Sequence, residues 1–201
     1  MINTLSLCAM KTLDQILKIK ATVLYILGQL PEGVDYIHLF KMMYFAQQNH
    51  LVTYGIPLME DTFKARKHGP VPELTYKILR AAEKGESLEQ EEMLSFKNAL
   101  KVGSKEGHQV VTALESYDPE ELSASDIKVL DACISKFRDI KAFDLSSLSH
   151  GDKAWKKANK NSERTGENTT IPLYDIAEAG GASPAMLKVI KERQWIEHQL
   201  S

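Results

Sequence analysis

Apolar residues recur at helical spacing through Leu13, Ile16, Leu17, Val23, Leu24, Leu27 and Leu30, stop at Pro31, and give way to Gly33 as a turn residue. A first helix is predicted there. Asp35 is placed to cap a second helix in which Tyr36, Leu39, Phe40, Met42, Met43, Tyr44, Phe45 and Ala46 leave almost no polar face. A helix apolar nearly all round belongs at the centre of a fold. Gly55 and Pro57 end it, and residues 58–67 read as extended, with Phe63 and Ala65 alternating. Gly69-Pro70 and Pro72 then precede a short helix carrying Leu74, Ile78, Leu79 and Ala82.

Residues 84–107 turn charged and polar, with Leu88, Met93, Leu94, Phe96 and Leu100 to anchor one amphipathic helix, and are expected to form a peripheral insertion. Val110, Thr112 and Leu114 alternate over 108–114 as a strand would, and Asp118-Pro119 follows as a turn. Ser123 to Asp126 offers a capping-box start for a helix striped by Ile127, Leu130, Ile134 and Phe137. Two short helices are expected over 144–149 and 152–160. Residues 161–171 read as a linker loop, with no apolar anchor over 161–170, before C-terminal helices over 172–201 in which Met186, Val189, Ile190, Ile196 and Leu200 line one side. Residues 1–11 carry no helical pattern, which makes them a candidate disordered leader and Met10 an alternative start to Met1. The expected fold is mainly α: a compact multi-helix domain over 12–160 with a small β element, plus a C-terminal helical appendage.

Hydrophobic residues make up 43% of the 201 and charged residues 26%, enough to build a core without disulfides or a metal. The formal charge of -2 supplies no overall field to draw the chain onto a phosphate backbone, so nucleic-acid binding is not implied. Cys8 and Cys133 form no CxxC pair and suit a reducing compartment. Leu5 to Cys8 faintly resembles a lipobox but lacks a basic segment before it, and no stretch approaches the ~20 apolar residues of a membrane helix. The expected location is the cytoplasm, with no membrane association.

No constellation for catalysis stands out. His38, His50, His68, His108, His150 and His198 never fall at HxxxH spacing, and the glycines build no phosphate-cradling loop, so neither metal nor nucleotide cofactor is implied. Ser149-His150-Gly151-Asp152 brings triad residue types together in sequence, but a helix start with polar caps accounts for them equally. His68-Gly69-Pro70-Val71-Pro72 predicts a rigid bend, and Lys64, Arg66, Lys67 and His68 make the approach to it basic. That patch reads either as a solvated turn or as a contact for an anion or partner peptide. Met42-Met43 reads as core or an adaptable groove, and Trp155 as a packing anchor or an interface hot spot.

Three ordered blocks resemble one family. Leu39-Phe40-Lys41-Met42-Met43-Tyr44-Phe45-Ala46-Gln47 is similar to the "KLLYFAQ" helix of the Panacea, or SocA-like, antitoxin domain. Gly55-Ile56-Pro57-Leu58, Asp61, Phe63, Ala65 and Lys67-His68-Gly69-Pro70-Val71 resemble its "GxPL...DxFxAWxxGPV" segment, and Leu145 to His150 with Trp155 resembles its "LSxLTHxxxxW" signature. The resemblance spans Val23 to Ile176. It implies a helical, non-enzymatic, often phage-associated domain that neutralises a cognate toxin by direct contact and, in one branch, acts as a proteolytic adaptor delivering it to ClpXP through a ClpX-type unfoldase. No basic helix-turn-helix segment flanks the domain, so direct DNA binding is not expected. The candidate partner-binding residues are Arg66, Lys67, His68, Gly69, Pro70, Val71, His150 and Trp155, with Leu39, Met43, Tyr44, Phe45 and Phe63 as signature core. Arg66 stands where the family usually has tryptophan, which puts partner choice in question. The alternatives are a small hydrolase or nucleotide-processing enzyme, requiring His68 and His150 to converge with a perturbed carboxylate, and a phage-associated scaffold.

Overall fold

The computed structural model describes residues 4–105 and 107–200. Among them are nine α-helices and five short strands, a mainly α fold. The helix predicted from Leu13 already runs from Thr4 to Gly28 (α1), so the leader expected over 1–11 is helical from Thr4 onward, while residues 1–3 lie outside the described residues. Leu5, Leu7, Ala9 and Met10 are good helix formers, and adding turns to an existing helix costs far less than nucleating one.

Asp35 caps the next helix as its position predicts, its carboxylate accepting from the His38 backbone N–H at 2.9 Å. That helix, Tyr36–Tyr54 (α2), ends where Gly55 turns left-handed at φ 70°. Leu39, Met42, Met43, Tyr44 and Ala46 are all 0% exposed, which puts α2 at the centre of the core. Three further elements pack around it: α5 (Ala124–Phe137), opened by the Ser123/Asp126 capping box, α6 (Ala142–His150), and α8 (Leu173–Ala179).

Two small antiparallel sheets flank these helices. In one, β1 (Val34–Asp35), β5 (His108–Ala113) and β4 (Leu100–Lys105) lie in the order β1-β5-β4, with Val34 opposite Val111 and Lys105 opposite His108. In the other, β2 (Phe63–Arg66) pairs with β3 (Gly69–Pro72) across a turn at Lys67 and His68. Phe63 and Ala65 face inward, as their alternation predicts. The bend expected at Gly69-Pro70 is therefore displaced: the reversal lies at Lys67 and His68, and Gly69 to Pro72 are a buried strand. The strand leads into α3 (Glu73–Lys84), whose first N–H groups are capped by the buried Asp61 through Leu74 and Thr75.

Two expectations about the periphery need correction. Residues 84–107 contain α4 (Glu91–Asn98) and β4 and send Phe96, Ala99 and Leu100 into the core at 0%, 1% and 5% exposure, because β5 needs a partner on its far side. The expected linker over 161–171 is not a free loop. Its first residues continue α7 (Lys153–Thr165), and its last ones pair with the open edge of β2. There the Ala65 N–H donates to the Thr169 carbonyl and the Ile171 N–H to the Phe63 carbonyl, both at 2.8 Å, satisfying backbone groups that burial would otherwise leave orphaned.

The C-terminal helices differ from each other. Ile176 and Ala177 of α8 are fully buried, and the Gln48 amide donates to the Ile176 carbonyl at 3.3 Å. The last helix, α9 (Pro184–Leu200), buries Ile190 but leaves Trp195 64% exposed, so the appendage character belongs to it alone. Ile176→Ala is expected to lower unfolding free energy by about 2–4 kcal/mol, the usual range for a buried isoleucine. Urea denaturation should show the main transition shifting; an unshifted main transition would mean that α8 folds separately from the core.

Candidate functional site

The β2–β3 turn is held by its own backbone carbonyls. The Trp155 indole N–H, from α7, donates to the Arg66 carbonyl at 3.1 Å, and the Ser146 hydroxyl, from α6, donates to the His68 carbonyl at 3.2 Å. From below, the Lys41 ammonium of α2 donates to the Pro70 carbonyl at 2.9 Å. The His150 ring stacks on Trp155, with centroids 4.4 Å apart and planes at 19°, and reaches the Lys67 backbone. Three segments far apart in sequence thus fix one hairpin, leaving the side chains of Lys67 and His68 in solvent.

Glycine at 69 makes this approach achievable. Its φ is 100°, a region L side chains rarely adopt, and a Cβ there would come within 2.7 Å of the Lys41 Cε and also strike the Ser149 hydroxyl. Ser149 cannot easily yield, being fully buried with its hydroxyl donating to the Ser146 carbonyl.

Lys41 is 1% exposed, and no carboxylate lies in ion-pair range of it among the described residues. Burial pushes its pKa down to about 7. Burial also lowers the pKa of His150; the nearby Lys41 and His68 add to this, while the Lys67 backbone opposes it. The imidazole is therefore neutral at pH 7, and its Nε2 is buried without a partner among the described residues.

Beside the hairpin lies an open groove of about 740 Å³. Its walls come from His68, Ser146 and His150 on one side, Arg138, Asp139 and Phe143 at the α5–α6 corner, and Lys105, His108 and Val110 of the β4–β5 hairpin. Phe143, at 79% exposure, is the most exposed large apolar side chain on this rim. His68 and His150 do share the groove, as the enzymatic alternative requires. Two carboxylates, Asp35 and Asp139, also line the groove; Asp35 is engaged by His38, and although burial pushes its pKa up, the His38 side chain and backbone outweigh this and hold it below the ordinary aspartate value. Among the described residues, no group of three or more His, Cys, Asp or Glu could hold a metal, and no helix is long and apolar enough to cross a membrane.

Of the sequence-predicted residues, Arg66, Lys67, His68, Gly69, Pro70, Val71, His150 and Trp155 all gather at this hairpin. Gly69, Pro70 and Val71 are buried and offer no free surface, and His150 and Trp155 support the turn from behind. Leu39, Met43, Tyr44 and Phe63 are core, with Phe45 partly buried against Phe137. Lys41 and Ser146 stand within the signature blocks without a site role assigned to them, and the sequence does not single out Phe143. Lys41 carried a signal, the one lysine in the apolar run from Leu39 to Ala46.

A family model described as "Antitoxin SocA-like, Panacea domain" matches residues 39–156, more than half of the chain. The chain belongs to this family. No curated protein and no solved structure matches it. The Panacea match begins at Leu39 on α2 and ends just after Trp155, so it encloses Lys41, Ser146, His150 and Trp155, which hold the turn, whereas the 169–171 edge on β2, α8 and α9 fall outside it.

Gly69→Ala should cost about 2–4 kcal/mol, combining backbone strain with overpacking. Chemical denaturation measures this, and a loss below about 0.5 kcal/mol, the level of an ordinary surface change, would mean the hairpin can shift away from Lys41. A second expectation concerns pH. Unfolded Lys41 binds its proton up to the ordinary lysine value of 10.5, whereas the folded chain releases it near 7, so this group's contribution to stability should rise with pH above 7. Two groups work the other way: burial raises the Cys133 thiol pKa, removing stability above its ordinary value of 9.0, and the Asp35 carboxylate raises that of His38, removing stability as pH rises above the ordinary 6.5, so Lys41 is isolated by comparing variant with parent over the window pH 7 to 9. Lys41→Met should flatten the rise in Tm across that window, and equal slopes for the variant and the parent would refute the assignment.

Proposed function

We propose that this chain neutralises a cognate toxin protein by direct binding, with the fixed hairpin turn and the adjoining groove as its contact face, and that it catalyses no reaction. The observation that carries this reading is what the enclosed family residues accomplish: they hold the backbone of a turn whose side chains they leave free. Fixing a contact loop before binding reduces the ordering cost of association. Phe143 adds an exposed aromatic anchor of the kind that dominates interface energies, and the groove beside it admits a partner side chain or strand.

The proposal extends to delivery of the bound toxin to a ClpX-type unfoldase in the cytoplasm, without direct DNA contact. Family membership supports that step; the groove concerns toxin capture alone. The convergence of His68 and His150 keeps a hydrolase reading in view, which predicts turnover abolished by His150→Ala.

Co-expression with the toxin encoded by the adjacent gene should restore growth, and the two proteins should co-purify. Phe143→Asp should lose rescue with its circular dichroism and Tm unchanged, because the side chain it replaces is 79% exposed. Failure of the unsubstituted chain to rescue or co-purify with any adjacent toxin would sink the proposal.

A further inference from the structure

Arg66 is held in a way that the fold itself does not require. Its carbonyl is fixed by Trp155, and its guanidinium carbon lies 4.3 Å from the centroid of the Tyr76 ring. Tyr76 is in turn braced edge-on by Phe40, with centroids 6.1 Å apart at 72°. Its neighbour Lys64 is already engaged, by the Thr170 hydroxyl at 2.9 Å and Glu73 at 3.8 Å. Arg66 has no such partner: among the described residues its guanidinium makes no ion pair, and its Nε is buried without an acceptor. Lys67 and His68 follow directly on the exposed turn, so the local field is positive although the whole chain carries a formal charge of -2.

We infer that Arg66, its guanidinium carbon over the Tyr76 ring at the hairpin tip, is a docking point for a carboxylate on an acidic segment of the partner protein. Packing over the ring restrains the guanidinium, and a guanidinium pairs with a carboxylate through a two-pronged fork that a diffuse charge cannot match. The inference rests on the toxin-binding reading only for the identity of the partner. An acidic protein segment is favoured over nucleic acid because the chain as a whole carries a formal charge of -2 and supplies no overall field to draw it onto a phosphate backbone.

The test uses the full chain and a short, fluorescein-labelled, amidated Asp/Glu-rich peptide, read by fluorescence anisotropy at low and moderate salt. Arg66→Ala should weaken binding about tenfold, the scale of one charge-assisted hydrogen bond. Arg66→Lys should weaken it severalfold although the charge is retained. Lys128→Ala, which removes a charge from the exposed face of α5, should leave it unchanged. Equal losses for Arg66→Ala and Lys128→Ala would overturn the inference, as would full binding by Arg66→Lys. It would also fall if a single-stranded oligonucleotide bound more tightly than the peptide and depended on Arg66. Where an adjacent toxin is rescued equally by the parent chain and Arg66→Ala, the Arg66 assignment fails and the antitoxin reading survives. Where no toxin is rescued but the peptide requires Arg66, the docking point stands and the toxin reading fails.

Discussion

Burying most of α2 obliges its buried polar side chains to find partners within the protein, since an unpaired polar group in the core costs more than most contacts supply. The partners they find are the rest of the fold. Lys41 takes the Pro70 carbonyl of the hairpin; Tyr44 and Gln48 take the Asp152 carboxylate that caps α7. Gln47 satisfies the backbone of Leu58 and Met59, while His50 reaches the Ile56 carbonyl and the Asp126 carboxylate of α5. At the helix start, His38 meets the carbonyl of Phe137. Hydrophobic burial would let the surrounding elements slide; these directional bonds fix where each one sits.

This arrangement explains what the sequence revealed and what it concealed. Caps and periodicity are local, so Asp35, the Ser123/Asp126 box, the central position of α2 and the strand over 108–114 could all be read directly. The edge made by residues 169–171 was hidden because it pairs through backbone groups, which leave no side-chain pattern beyond the β-branched run Thr169, Thr170 and Ile171. Phe96 and Leu100 read as anchors of one peripheral helix because charged neighbours surround them, yet two or three apolar positions suffice to seat both a short helix and a strand on the core.

The candidate site was legible in its parts and not in its geometry. Family resemblance brought the hairpin residues, His150 and Trp155 onto one list, but only the fold shows that some of them grip and others are gripped. Lys41 was passed over because a lysine in an apolar helix is ordinarily expected to run its stem along the surface and put its charge in water. Here the ammonium remains inside at 1% exposure, and the Pro70 carbonyl is the reason.

The same separation bears on how one domain could serve different partners. The bonds to Arg66, His68 and Pro70 run to their carbonyl oxygens, which every residue possesses, so the hairpin path is set independently of the side chains at 66, 67 and 68. Gly69 is the exception, because the space a Cβ would need is filled by Lys41 and Ser149. Side chains at the tip can therefore change without moving the backbone that carries them. Arg66 illustrates this: where relatives are expected to carry tryptophan, this chain places a guanidinium on Tyr76, altering the chemistry offered at that point while Trp155 still holds the carbonyl beneath it.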